Sequence, residues 1–460
     1  MLFKENLMVR KKKFKLSTTQ IILLSFLVTI LIGSGLLALP ISSASGKAVP
    51  YLDALFTATT STCVTGLVTI PTVSTWSVFG QIVILLLIQI GGLGIITIMS
   101  GLMLLLNRKM GIDDRLLIQD AFNLNTMSGL AKFIKNVLIG TLIIEGVGAV
   151  LYMIVFVPDF GARGIWISVF NSVSAFCNAG IDIIAENSLC NYATNPLINI
   201  VTSALIILGG LGYIVWWDVI RVVKSRSPKH RKIFRHLSLH SKIAITATAV
   251  LILVGAILIF IFEYDNPLTI GKMSLFDKIQ ISLFQSVTTR TAGFATIPQE
   301  NLTNASATVS IVLMLIGGSP VGTAGGMKTV TIAVLICSAF ATIRNKNSAT
   351  LFGRRISEES IKKAVSVVVM FLTICATSTI LLMATSNASP LDAVFETVSA
   401  SATVGLSRNL TATLNTFGKL IIIVTMYFGR VGPISLAIAL GSKNESQNVI
   451  TEPTEDISIG

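Results

Sequence analysis

The segment Phe56 to Leu67, reading FTATTSTCVTGL, returns three times in degenerate form, and this recurrence limits the chain to a fourfold architecture. The copies are FNSVSAFCNAGI at Phe170 to Ile181, FQSVTTRTAGF at Phe284 to Phe294, and FETVSASATVGL at Phe395 to Leu406. Their late glycines, Gly66, Gly180, Gly293 and Gly405, lie 114, 113 and 112 residues apart, a regularity that marks an internal duplication. The third copy is one residue shorter between its Phe and its Gly, so its backbone is the one expected to deviate.

A mean hydropathy of +0.80 with 12% charged residues excludes a soluble domain and places the chain among membrane proteins. The net charge of +13 sits in short loops between apolar runs, where it signals topology; no basic groove for nucleic acid is implied. Cys63, Cys177, Cys190, Cys337 and Cys375 are scattered without a CxxC pair, so neither a disulfide framework nor a metal site follows. Arg10 to Lys13, the apolar run Gln20 to Pro40 and the small residues Ser42 to Ser45 together look like a secretory signal. The run is 21 residues, longer than a signal core, so a retained first span is expected.

Apolar stretches long enough to cross ~30 Å of hydrocarbon occur at Gln20 to Leu39, Trp76 to Leu106, Val137 to Val157, Pro196 to Val223, Ile243 to Phe262, Thr308 to Ile343, Ala364 to Thr385 and Phe417 to Leu440. Each recurring segment falls between the two members of a pair, where a stretch such as Tyr51 to Thr62 is too short to span. It reads as a re-entrant half-helix and loop, tolerated in a bilayer only when protein or water surrounds it. The fold class is therefore all-α membrane protein: four tandem helix, pore-loop, helix repeats, with eight transmembrane helices around a pseudo-fourfold pore. The N-terminus (1–19), repeats at 20–107, 108–223, 224–343 and 344–440, and a tail (441–460) divide the chain.

Lys and Arg set the orientation. The N-terminus, the loops 107–136, 221–242 and 344–363, and the tail hold 26 of them; the other side, with all four re-entrant segments and Lys419, holds 7. Both termini are thus expected in the cytoplasm. The loop Arg221 to Lys242 carries eight Lys or Arg with His230, His236 and His240, and reads either as a solvated positive-inside loop or as a dock for an acidic partner or lipid headgroup.

A half-helix ending at mid-membrane directs the negative end of its dipole inward, and an extended segment after it turns carbonyls toward a dehydrated cation. Glycine at 66, 180, 293 and 405 lets an ion approach the backbone. The residues before it, Thr62, Cys63, Val64 and Thr65; Asn178 and Ala179; Thr291 and Ala292; Thr403 and Val404, complete the candidate filter. The plainer role, glycine as a packing or turn residue, would suit any one of the four; four in matching positions favour the filter.

Each copy resembles one line of a potassium-channel filter reduced to a single essential glycine, and the set resembles the Ktr/Trk/HKT superfamily of cation transporters across roughly residues 20–440. The resemblance implies potassium preference, because relatives that pass sodium tend to carry Ser at the first filter glycine and this chain has Gly66. Eight spans favour the bacterial Ktr-type membrane subunit. The resemblance further implies a homodimer in the bacterial plasma membrane, seated on a cytoplasmic ring that binds ATP or ADP, with sodium as an activator. No nucleotide motif or resident cofactor is expected in this chain.

Glycines also recur in the second helix of each pair: Gly91, Gly92 and Gly94; Gly209, Gly210 and Gly212; Gly317 and Gly318; Gly429 and Gly432. In the first two repeats close helix packing accounts for them. The third reads IGGSPVGTAGGMKT over Ile316 to Thr329, and Gly317, Gly318, Pro320, Gly322, Gly325 and Gly326 make a continuous helix untenable. The resemblance makes 317–329, with Ser319, Thr323 and Lys328, an intramembrane gate. A phosphate loop is excluded because Met327, not Lys, follows Gly326.

Lys328 and Arg430 read as the basic residues set within apolar segments, where charge implies a partner or a role. The resemblance places Arg430 in the pore beneath the filter as part of the barrier. Lys328 is either a snorkelling anchor or part of the gate. Glu145, the corresponding acid, either fixes repeat packing or relays protons. The leading function is potassium uptake, and the alternative is a sodium- or proton-coupled symporter with alternating access. An enzyme is not expected: the chain has no HExxH, no GxSxG and no paired mid-membrane acids.

Overall fold

The computed structural model describes residues 17–106, 111, 116, 129–225, 233–346 and 348–432. Residues 1–16, 226–232 with His230, and the tail from 433 lie outside the described residues, as does most of the loop 107–128. Each repeat opens on a long apolar helix: α1 (Thr18–Leu37), α5 (Leu130–Phe160), α9 (Leu239–Glu263) and α13 (Glu358–Thr385), of 20, 31, 25 and 28 residues. At 1.5 Å per residue the shortest reaches across ~30 Å of hydrocarbon. Their outer faces are aliphatic and exposed, including Leu142, Val150, Leu253 and Ile380, as lipid contact requires.

The re-entrant segments form four shorter helices: α2 (Tyr51–Cys63), α6 (Arg163–Cys177), α10 (Leu275–Thr288) and α14 (Pro390–Ser401). They are buried along most of their length, so their hydroxyls turn back on the helix: Thr57 donates to the Asp53 carbonyl at 2.8 Å and Ser168 to that of Gly164 at 2.7 Å. Helix starts follow local chemistry. Ser77, Asn195, Ser274, Ser389 and Asn415 each accept a hydrogen bond from the first turn of the helix they precede.

The second helices depart from expectation. Those of the first two repeats are not continuous: α3 (Val78–Leu93) meets α4 (Ile95–Leu105) at 94°, and α7 (Pro196–Leu211) meets α8 (Tyr213–Lys224) at 94°. The bends fall on Gly94 and Gly212, both at φ +87°, a backbone conformation that side-chain residues resist. In the third repeat α11 (Asn304–Leu315) and α12 (Thr329–Ile343) flank the non-helical stretch 316–328. In the fourth, α15 (Thr416–Val431) stops at Gly432, φ +90°, and the rest of the expected span to Leu440 lies outside the described residues. Close packing does describe Gly91 and Gly209, where a Cβ would overlap the carbonyls of Thr62 and Phe176. A two-stranded hairpin, β1 (Thr350–Leu351) and β2 (Arg354–Arg355), joins α12 to α13.

Glu145 ties repeats together. Its carboxylate accepts from Gln89 Nε2 at 3.2 Å on α3, and its carbonyl from Ser172 Oγ at 2.6 Å on α6. Cys177 Sγ lies 3.9 Å from the other carboxylate oxygen. These contacts fit the packing role. Glu145→Leu removes the carboxylate partner of the half-buried Gln89 amide, a loss of about 1 kcal/mol. Thermal unfolding in detergent is expected to show a lower midpoint for Glu145→Leu and a near-normal one for Glu145→Gln.

Candidate functional site

All four short helices end in a turn that reverses the chain. Val64, Asn178, Thr291 and Thr403, each two residues before its glycine, adopt φ of +56°, +58°, +66° and +53°. Positive φ is rare for β-branched residues and costs on the order of 1–3 kcal/mol each, so the surrounding structure must hold these turns in place. It does so by hydrogen bonds back to the helix. Thr65 N–H donates to the Thr60 carbonyl, Ala179 to Ser174 and Val404 to Ser399, all at 2.8 Å. Gly66 and Gly405 N–H groups donate to Thr60 Oγ1 and Ser399 Oγ at 3.0 Å. With the amides turned outward, the carbonyls are free to face the axis.

The shorter third copy takes up its missing residue in this turn. Ala292 N–H reaches Thr288 at 3.0 Å, one residue nearer than in the other repeats, and Gly293 stays in place.

The four glycines form a closed ring. A Cβ added to Gly66 would lie 2.6 Å from the Ala179 carbonyl, one on Gly180 2.5 Å from that of Ala292, and one on Gly293 2.5 Å from that of Val404. One on Gly405 would overlap the carbonyl of Thr65. Each repeat thus touches the next in chain order, and the last touches the first. The Thr62, Thr65, Thr291 and Thr403 hydroxyls are buried here without a protein partner, and Cys63 is buried at the end of α2.

On one side of the ring opens a vestibule of about 430 Å³, lined by the four glycines and by Asp182, Glu186 and Glu300, with no Lys or Arg among its walls. Burial pushes the Asp182 carboxyl up to about 6, against the pull of the Ser188 hydroxyl and the Ile184 and Ala185 N–H groups. Acidification through that value therefore removes negative charge from the vestibule.

Beneath the ring lies the 316–328 loop. Thr329 N–H donates to Gly318 O at 3.0 Å and Gly317 N–H to Met327 O at 2.9 Å, closing its base, where the Ser319 and Thr329 hydroxyls meet at 2.9 Å. Its tip pairs with the bend in repeat two: Ser319 N–H donates to Gly210 O at 2.8 Å, Thr323 to Gly209 O at 3.2 Å, and Tyr213 N–H to Val321 O at 2.9 Å. Gly212 has no room for a Cβ against the Pro320 carbonyl, and Gly325 and Gly326 press on Thr403 and Ala402. Lys328 Nζ turns back on the loop, donating to Ala324 O at 2.7 Å, so it braces the loop rather than reaching for the membrane surface.

Arg430 crosses under the ring from repeat four. Its guanidinium donates to the Thr323 carbonyl at 2.5 Å and to the Gly91 carbonyl at 2.5 Å, joining the loop to repeat one. A cavity of about 250 Å³ beside it is lined by Gly92, Gly94, Gly322, Ala324, Lys328 and Arg430, among others. A buried arginine in the third turn was not anticipated from the sequence. Arg290, three before Gly293, is 5% exposed, with Nη2 donating to Thr248 Oγ1 at 3.2 Å. The run TTRTAG carried that signal, but its placement outside a long apolar stretch hid it.

Four half-helices aimed at one axis, a ring of glycine backbone at their ends and a basic side chain below define a four-repeat pore-loop membrane protein. Comparison with known proteins narrows the class. The TrkH family, described as cation transport protein, matches residues 2–451. The potassium/sodium uptake protein NtpJ of Enterococcus hirae is 38% identical over 99% of this chain and 100% of its own length. The Ktr system potassium uptake protein B of Bacillus subtilis is 38% identical over 95% of this chain and 96% of its own. The crystal structure of the potassium transporter TrkH from Vibrio parahaemolyticus superposes with a TM-score of 0.74, covering 94% of this chain and 86% of that one, at 19% identity, a likeness of fold. The chain belongs to this cation transport family, within the Ktr/Trk/HKT superfamily.

Proposed function

We propose that the protein is the potassium-translocating subunit of a bacterial uptake system, with the glycine ring as its selectivity filter. The observation that carries this reading is the ring itself: four backbone lines, freed of amide obligations, around an axis too narrow for side chains. Two relatives whose names state potassium uptake, aligned along nearly their whole lengths, support it. The acidic vestibule concentrates cations, and the membrane potential supplies ~2.3 kcal/mol per charge per 100 mV, enough for uptake without hydrolysis in this chain. The loop 317–329 with Arg430 and Lys328 closes the path. The Lys and Arg count supports a vestibule outside and both termini inside.

The same reading makes the protein a homodimer on a cytoplasmic nucleotide-binding ring, through which ATP or ADP acts, with sodium as activator. The name of the Enterococcus hirae relative, which includes sodium, keeps a sodium-coupled symporter as the second reading.

Rubidium and sodium tracer uptake into potassium-loaded vesicles separates them. Rubidium flux selective over sodium, with no sodium entering alongside it, supports the filter; sodium tracer entering in fixed ratio to rubidium at fixed voltage rejects uncoupled conduction. A pH series tests the vestibule. Rubidium uptake at low concentration is expected to fall as outside pH drops through about 6, where Asp182 gains its proton. Asp182→Asn is expected to show the reduced uptake at all pH values, with that step gone.

A further inference from the structure

A cavity of about 510 Å³ opens between α9 and α12 on the side of the protein away from the vestibule, roofed by the β1–β2 hairpin. Its walls are aliphatic and aromatic, and Val250, Ile336 and Phe340 are each more than half exposed, so it faces outward into the region the bilayer occupies. One end is different: Arg344, Lys346 and Ser348 line it, and no acid does. The acids nearest in sequence are engaged elsewhere, Glu358 with Arg355 at 3.6 Å and Glu359 with Lys363 at 2.6 Å. Among the described residues neither Arg344 nor Lys346 makes an ion pair.

We propose that this groove holds one anionic phospholipid of the inner leaflet, an acyl chain lying between α9 and α12 and its phosphate between Arg344 and Lys346. Its size falls within the ~300–1,000 Å³ of small-molecule sites. The groove does not itself choose among lipids, because an acyl chain leaves surroundings as apolar as those it enters. Choice comes from the headgroup. Each basic side chain at the membrane surface favours an anionic lipid about fivefold, equivalent to ~1 kcal/mol. Here two converge at the mouth of one groove, with a serine hydroxyl beside them, on the face that the Lys and Arg count assigns to the cytoplasm. The site is separate from the filter and the loop, so the proposal stands apart from the reading of either.

The test is native mass spectrometry of the full chain in detergent with equal dioleoyl phosphatidylglycerol and dioleoyl phosphatidylcholine. Wild type is expected to retain phosphatidylglycerol, Arg344→Gln with Lys346→Gln to retain it about 25-fold less, and phosphatidylcholine to stay weakly bound in both. Ala247→Phe, which fills the groove while leaving both charges, is expected to displace phosphatidylglycerol as well. Equal retention of the two lipids, or no change in the double variant, overturns the proposal. So does full competition by glycerol 3-phosphate, which would reduce the site to a phosphate contact. Retention by the monomer but not by a dimer would assign the groove to a second copy of the chain.

Discussion

Vesicles carrying Gly66→Ser are expected to lose at least about tenfold in rubidium-over-sodium selectivity, a change of ~1.4 kcal/mol. Two effects of the substitution act together. Gly66 sits at φ +97°, so serine is strained there before it meets a neighbour. Its Cβ then lies 2.6 Å from the Ala179 carbonyl, an oxygen of the next repeat in the ring. That carbonyl must move off the axis, and a filter that selects by the number and direction of carbonyl dipoles loses one of them. Total flux can survive, because three lines remain. Tracer uptake of the two ions by wild type and variant, at matched protein density, reads the ratio directly. Unchanged selectivity would remove Gly66 from the filter.

Arg430→Ala is expected to raise resting rubidium flux by about ten- to a hundredfold. The guanidinium makes charge-assisted bonds to the Thr323 and Gly91 carbonyls, and such bonds contribute ~1.5–3 kcal/mol each. Losing them frees the loop from repeat one and, on the proposed reading, removes a cation that repels potassium beneath the ring. Part of the gain is held back by the bonds of the loop to repeat two, through Ser319, Val321 and Thr323, which the substitution leaves in place. Arg430→Lys retains the charge without the fork and is expected to fall between. A well-folded Arg430→Ala with wild-type flux would make the arginine a structural clip.

The fourfold plan was legible because the duplication preserved spacing, with Gly66, Gly180, Gly293 and Gly405 separated by 114, 113 and 112 residues. The stretch at 316–328 was legible because its own glycines and proline forbid helix. What stayed hidden were the bends at Gly94 and Gly212. GGLG inside a run of Ile and Leu is compatible with a straight span, and hydropathy is blind to direction. The bend at Gly212 depends on a distant partner, since Tyr213 N–H and the Gly209 and Gly210 carbonyls bond the loop. Arg290 escaped for a related reason: its burial comes from packing against distant residues such as Thr248 on α9, and local composition does not record it.

The positions equivalent to Arg430 in the other repeats are Gly92, Gly210 and Gly318. A channel assembled from four identical chains would carry the same residue on every side of its axis. Four guanidiniums in that space would repel one another beyond rescue, and four glycines would leave it open. Fusing the units into a single polypeptide breaks this rule: one arm supplies the positive charge, another supplies the loop, and the remaining two offer bare backbone for both to grip. Asymmetry below the filter is thus a freedom conferred by covalent linkage, and substitutions that restore likeness among the four arms should undo closure before they disturb the fold.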